Sequence, residues 1–251
     1  MKGETMTAWT EAELDPPRLT ARGVILSLLV SNYPSQHTPA HVVRAAGAFD
    51  IKESAARVAL SRMVTQGDLI RTEEGYELSA PLLERRQRVF FEVKQEEIPW
   101  DGGWEGVIVT ESGRDAADRA ALRTRLSRLR LAELREGVWM RPANLARPLA
   151  LAQDPVLVLH SAPEVEPGLL VAQLWDTDAL ERESQRLLNL MGRATSKVER
   201  FTVATAIVRH LLRDPVLPAA LQPSPWSTDL VHRVWLDYQD EFTSIPELSG
   251  D

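Results

Sequence analysis

The segment DIKESAARVALSRMVTQG, residues 50–67, predicts the helix around which the N-terminal part of the chain is organised. Asp50 followed three residues later by Glu53 is a capping-box pattern, so the helix is expected to begin at Ile51. Gly67 is the residue type that most easily adopts the left-handed conformation found after a helix. The pattern therefore predicts one helix between these two signals.

The two faces of this predicted helix differ in residue type. The apolar side chains at helical spacing are expected to face a core, and they are Ala56, Ala59, Leu60 and Met63. The other side carries small polar residues and one arginine, namely Ser54, Arg57, Ser61 and Thr65. Such a face fits a DNA major groove, where arginine can bond guanine and hydroxyls can bond bases or phosphates. The alternative, from this helix alone, is an amphipathic helix with a solvated polar face.

Two further helices are predicted upstream. Thr20 can cap a first helix that runs to about Asn32. Thr38 followed by Pro39 is a good start for a second helix, which should end at Gly47. Two short helices joined by a glycine-containing turn are the helix-turn-helix arrangement.

A hairpin is predicted after Gly67, where the apolar period changes. Strands are expected at residues 69–72 and 76–79, and three helices followed by a hairpin are the element order of a winged helix. Glu73 and Glu74 lie near the tip of this short wing and would be repelled by a phosphate backbone, whereas Arg71 can still reach a phosphate.

The candidate DNA-binding residues lie on the third helix, at its N-terminal flank and on the first strand of the hairpin. They are Lys52, Ser54, Arg57, Ser61, Arg62, Thr65 and Arg71. The net charge of -7 argues against nucleic-acid binding if it is spread evenly, but residues 18–88 carry +3 and the rest of the chain -10. This asymmetry fits a modestly basic head on an acidic body.

Composition limits the class of protein. Charged residues make up 26% of the 251 residues and the hydrophobic set 44%, as in globular proteins. No secretion signal and no apolar run of membrane-spanning length is present. Cys is absent, which excludes disulfides and thiol chemistry. We therefore expect a cytoplasmic protein.

The middle of the chain predicts a small α+β domain of ferredoxin type. Strands are expected at 105–110, 136–142, 155–161 and 168–175, with a helix at 115–130 after the first strand. The second helix of that fold is not obvious. The whole chain is therefore expected to be α+β, with the following parts: a flexible tail (1–17), the winged-helix head (18–80), a connecting helix and ferredoxin-like domain (81–176), and a helical C-terminal domain (177–251).

Signals for catalysis are weak. The chain contains no GxGxxG opening a helix, no P-loop and no HExxH motif, and its five histidines are scattered without metal-ligand spacing. We expect no cofactor and no metal. The middle domain resembles the ferredoxin-like subunit of CRISPR adaptation complexes, in which an aspartate ending the first strand is tied to metal-dependent nuclease activity. Here Glu111 follows that strand, so a metal-dependent nuclease is the alternative function.

Several motifs in order give the chain a resemblance to a known family. They are ARGVILSLL, ESAARVALSRMVTQGDL, IPWDGGW, LRTRLSRL followed by REGVWMRP, and LLRDPVLPAALQPSPW. Together they resemble the PaaX family of transcriptional repressors, named for control of phenylacetate catabolism, over about residues 19–242.

The resemblance implies a mechanism as well as a fold. It implies a homodimer that binds double-stranded DNA, blocks a promoter and is released by an acyl-CoA thioester such as phenylacetyl-CoA. In the family pattern, Arg57, Ser61 and Arg62 match the arginine and the Ser-Arg pair of the third helix. No residue of the sequence points to the effector pocket.

Overall fold

The computed structural model describes residues 19–31, 37–93, 96–111, 113, 115–152 and 154–245. The chain forms two compact units. The first holds the residues up to Phe90, Arg186–Val208 and the segment from Leu230 onward, and the second holds Phe91–Gln185 and Arg209–Asp229. Residues 177–251 are thus divided between the units. The predicted boundaries after residues 80 and 176 stay predictions, and the predicted tail, 1–17, lies outside the described residues.

Three helices and a hairpin form the head, in the order that the sequence predicts. They are α1 (Ala21–Ser31), α2 (Pro39–Gly47), α3 (Glu53–Thr65), β1 (Leu69–Arg71) and β2 (Tyr76–Leu78). The two strands are antiparallel, with Leu69 opposite Leu78 and Arg71 opposite Tyr76. The predicted start of α2 is confirmed, because the Thr38 side chain accepts a hydrogen bond from the backbone N–H of His41 (3.2 Å).

The predicted capping box at the start of α3 is wrong. Helix α3 begins at Glu53 rather than Ile51, and its N-cap residue Lys52 makes no side-chain capping hydrogen bond. Asp50 adopts a left-handed φ of 58°, and the N–H of Ile51 donates to the carbonyl of Ala46 (3.3 Å). The backbone thus prolongs the turn after α2, which moves Asp50 away from a capping position.

The predicted end of α3 is confirmed. Gly67 has a φ of 74°, where a side chain would be strained. Its N–H donates to the Val64 carbonyl (3.0 Å), and the N–H of Asp68 donates to the Met63 carbonyl (2.9 Å). This pair of hydrogen bonds is a Schellman motif, which satisfies the last carbonyls of the helix.

The hairpin is joined to the segment before α2. The N–H of Tyr76 donates to the carbonyl of His37 (3.0 Å). The backbone approach is so close that a Cβ added at Gly75 would lie 2.2 Å from the same carbonyl oxygen. Only glycine fits there, so this contact fixes the position of the wing within the head.

The second unit contains a four-stranded antiparallel sheet. Its elements are β3 (Trp104–Val109), α5 (Ala116–Arg128), β4 (Ala132–Arg135), β5 (Val138–Pro142), β6 (Val156–Ser161) and α6 (Pro167–Leu174). The strand order is β4-β5-β3-β6. Between β5 and β6 the described residues contain no helix. The predicted α+β class is confirmed, and the missing second helix agrees with the sequence, which showed none.

Two parts of the predicted sheet differ from the structure. Residues 168–175, predicted as a strand, lie mostly in helix α6, because Pro167 begins it and the Glu166 carboxylate accepts from the N–H groups of Gly168 (3.0 Å) and Leu169 (2.9 Å). Strand β4 was not predicted. It is short and polar, so its sequence has no clear alternation.

Both faces of this sheet are covered. On one face, Val107 and Trp139 pack with Leu126 of α5 and with Leu149 and Leu151, which take the place of the missing helix. On the other face, a second cluster contains Trp104, Leu170, Val171 and Leu217. The buried Trp104 and Trp139 therefore serve as core anchors rather than as exposed stacking surfaces.

Helices continue the chain before and after this sheet. They are α4 (Ala80–Val93), α7 (Thr177–Arg193), α8 (Lys197–Leu211) and α9 (Thr228–Thr243). Within the first unit, Phe49 packs against Phe201 of α8 (ring centroids 5.4 Å apart) and Phe242 of α9 (5.6 Å). The C-terminal helices thus support the segment that leads into α3. None of the described helices is long and apolar enough to cross a membrane.

Candidate nucleic-acid interface

Helix α3 presents the polar face that the sequence predicts. Ala56, Leu60 and Met63 are buried in the head. All of the predicted DNA-binding residues are exposed: Lys52, Ser54, Arg57, Ser61, Arg62, Thr65 and Arg71. Six of these residues lie on α3 and its N-cap, whereas Arg71 lies on β1. The head therefore leaves this helix face free of its own packing.

Arg57 is held by a neighbour on the same helix. Its Nε and Nη2 atoms donate to Oε1 of Glu53, at 2.9 and 2.7 Å. The side chains are 60% and 66% exposed, so water screens the attraction and the pair stabilises the helix only weakly. Arg57 can exchange this carboxylate for a base or a phosphate at little cost. Sequence reasoning assigned Glu53 to a capping box and overlooked its pairing with Arg57, although the spacing of four residues was visible.

The hydroxyl of Thr65 is already used as a donor. Its Oγ1 donates to the Ser61 carbonyl within α3 (3.0 Å). The oxygen of Thr65 is consequently left as an acceptor only, while the Ser61 hydroxyl can act in both directions. Of the two predicted residues at this end of the face, Ser61 is the more versatile partner for a base edge.

Val58 lies in the middle of the polar face and was not predicted. It is 51% exposed. Its neighbours three and four residues away on α3 are all exposed as well: Ser54, Ala55, Ser61 and Arg62. The sequence pattern for the exposed face singled out polar residues and therefore missed an apolar side chain within it.

Other charged and titratable groups of the head contact one another. Arg22 of α1 forms an ion pair with Asp68 (Nη2 to Oδ2, 2.7 Å). His37 and His41 stack with ring centroids 5.0 Å apart, and Arg44 Nη2 donates to Nδ1 of His41 (3.2 Å). Burial, and then the neighbouring His41, lower the pKa of His37. The His37 ring is therefore favoured in its neutral form.

The second unit contains an open cleft with an acidic lining. Its volume is about 570 Å³, and the charged residues around it are Glu111, Asp115, Asp118, Arg125 and Asp154. Arg125 is paired with Asp154 (2.8 Å), so the remaining carboxylates would repel the phosphates of an acyl-CoA. Within the described ranges, no group of three or more His, Cys, Asp or Glu side chains could hold a metal ion.

Comparison with known proteins places this geometry in a family. The chain combines a winged-helix element order in one unit with an α+β sheet in the other. The model of the PaaX-like protein family matches residues 20–82, and the model of the PaaX protein central Cas2-like domain matches residues 97–155. The chain belongs to the PaaX-like family, as its motifs indicated. At family level this makes it a regulator associated with the phenylacetate pathway.

A solved structure is similar over almost the whole chain. It is the uncharacterized protein Rv0674 from Mycobacterium tuberculosis, which is 41% identical with a TM-score of 0.80. The match covers 90% of this chain and 99% of that one. A search of curated proteins finds no match.

Proposed function

We propose that the chain is a regulator rather than an enzyme, and that it binds double-stranded DNA sequence-specifically through α3 and acts as a repressor of a catabolic operon. The observation that carries the proposal is the exposed face of α3, where Arg57, Ser61 and Arg62 are exposed on a helix whose other side buries Ala56, Leu60 and Met63 in the head. A third helix of a winged helix with such a face fits the major groove.

The proposed DNA contacts are of two chemical kinds, contacts to bases and contacts to phosphates. Arg57 is placed to bond guanine after it leaves Glu53, and Ser61 can bond a neighbouring base edge. Lys52 at the start of α3 and Arg71 on β1 flank this face and suit phosphate contacts, which position the helix without recognising sequence.

A homodimer is the second part of the proposal, with half-sites one DNA turn apart, roughly 34 Å. It is supported by strand β6 at the edge of the sheet, where Leu157, Val158 and Leu159 are 49%, 39% and 38% exposed. The opposite edge, β4, is interrupted by a register shift between Glu133 and Arg135. If two copies pair through β6 about a two-fold axis, the apolar β6 edge of each copy is covered by that of the other. Val158→Lys should then yield monomers in light scattering, whereas wild-type mass from this variant would contradict pairing through β6.

Release by an acyl-CoA thioester such as phenylacetyl-CoA is the third part, proposed from family membership. Effector binding would favour a placement of the two heads that no longer matches the half-sites, through a coupling of about 1–3 kcal/mol. The packing of Phe49 against Phe201 and Phe242 supports this route, because a shift of α8 or α9 would reach the segment before α3.

Fluorescence anisotropy tests the proposal by measuring affinity for DNA from upstream of the gene and for scrambled DNA. Both affinities are measured over a salt series, with and without phenylacetyl-CoA. Sequence-dependent binding that the thioester weakens supports both the DNA-binding part and the effector part of the proposal. Sequence-dependent binding whose affinity does not change with the thioester contradicts only the effector part of the proposal. Equal affinity for scrambled DNA contradicts the regulator. Metal-dependent hydrolysis that is lost in Glu111→Ala would instead favour the nuclease alternative.

A further inference from the structure

Val58 does not belong to the buried core of the head. It is 51% exposed, whereas the core side of α3 is made by Ala56, Leu60 and Met63. A β-branched residue also disfavours a helix relative to Ala at an exposed position. Neither packing nor helix propensity therefore explains a valine at this point.

The surroundings of Val58 indicate what it would meet on DNA. The exposed residues one helical turn before and after it, Ser54 and Ser61 among them, belong to the proposed base-contacting face. An isopropyl group can neither donate nor accept a hydrogen bond. The base-edge group in the major groove that suits such a side chain is the C5-methyl of thymine.

We infer that Val58 contacts a thymine C5-methyl group and thereby specifies a T·A base pair in the operator. This inference rests on the proposed DNA-binding function. Because Val58 follows Arg57 directly and a residue rises about 1.5 Å along the helix, less than half a base-pair step, the thymine lies within a base pair or two of the guanine that Arg57 contacts.

The experiment removes the methyl group without changing a hydrogen bond. Duplexes bound by the full-length protein are selected from a random library, and each thymine of the selected site is replaced singly by deoxyuridine. At one position in each half-site, wild-type affinity should fall about fourfold, the value of one buried methyl group. Val58→Ala should bind the original duplex more weakly and show no further loss with deoxyuridine at that position.

Two controls keep the result specific. Ser54→Ala changes the same face and should retain the deoxyuridine effect, and thermal unfolding of Val58→Ala should match wild type because the side chain is exposed. The inference is overturned if no deoxyuridine position weakens wild-type binding, or if Val58→Ala keeps the same loss. Failure of the proposed function looks different, since selection from the random library would then enrich no sequence at all.

Discussion

Two arginine–glutamate pairs, one in each compact unit, have the same chemistry and opposite surroundings. Arg57 and Glu53 on α3 are 60% and 66% exposed, whereas Arg141 of β5 and Glu105 of β3 are 1% and 11% exposed. Water can replace either partner of the first pair but neither partner of the second. Burial therefore separates an arginine available to a ligand from one that belongs to the fold.

Further hydrogen bonds fix the buried arginine. Arg141 donates to the carbonyl of Leu129 (2.6 Å) and to that of Arg147 (3.1 Å), besides its bond to Glu105. All these partners lie in the second unit, on or beside the sheet and the end of α5. The guanidinium thus joins the sheet to its neighbouring loops.

The largest expected effect comes from breaking the buried pair. Arg141→Met leaves the Glu105 carboxylate buried without its partner, so the free energy of unfolding should fall by about 3–5 kcal/mol. Urea denaturation followed by circular dichroism measures this change. Arg128→Met is the matched control, because Arg128 is exposed on α5 and should change stability by less than about 0.5 kcal/mol. A similarly small loss in Arg141→Met would mean that the pair contributes little.

Breaking the exposed pair should change stability little and DNA affinity more. Arg57→Ala should leave stability within about 0.5 kcal/mol of wild type but weaken specific DNA binding by about 1–3 kcal/mol, since a bidentate contact to guanine is lost. Anisotropy on the selected duplex measures the affinity. Arg182→Ala, an exposed arginine in the second unit, serves as the control. Unchanged affinity and sequence preference in Arg57→Ala would exclude a base contact by Arg57.

His37 is a buried titratable group in the head. Its Nε2 has no hydrogen-bond partner among the described residues, and burial lowers its pKa below the usual histidine value of about 6.5. The unfolded chain therefore binds the proton more readily than the head does. Stability should be fully present above about pH 6.5 and fall as the pH drops below it. Urea midpoints between pH 8 and pH 5 test this, and an equally steep decline in His37→Gln would assign it to other groups.

The smallest effect is expected when Arg57 is released from its helical partner. Glu53→Gln should lower stability by only about 0.2–0.5 kcal/mol, the usual value of such a pair. DNA affinity should rise about twofold, because no carboxylate competes for the guanidinium. Anisotropy at low salt measures the gain, with the exposed Glu136→Gln as control. Weaker binding by Glu53→Gln would show that the pair orients Arg57 for DNA.

Sequence patterns predicted the head well because its signals are local. Gly67 terminates α3 as expected, and the helical period separated Leu60 and Met63 from the exposed face. Asp50 failed as a cap because the Ile51 N–H binds the Ala46 carbonyl, a contact that the capping pattern does not encode. Val58 escaped notice because its exposure depends on what the head leaves uncovered.

The second unit was harder because its decisive contacts join distant residues. The apolar run at 168–175 fits a strand or a buried helix equally by period, although Glu166 and Pro167 before it indicate a helix start. Glu105 and Arg141 are 36 residues apart, and their pairing follows only from the alignment of β3 with β5. The α+β class was predictable, whereas this pair was not.

The aromatic packing around Phe49 limits how the chain can be dissected. Phe49 is only 1% exposed, and its ring contacts come from Phe201 and Phe242. A fragment ending near residue 90 would contain every element of the winged helix yet leave this ring in water. The smallest piece that keeps the head packed therefore includes segments far apart in the sequence, and truncation from the C-terminus should impair the head before any residue of the head itself is removed.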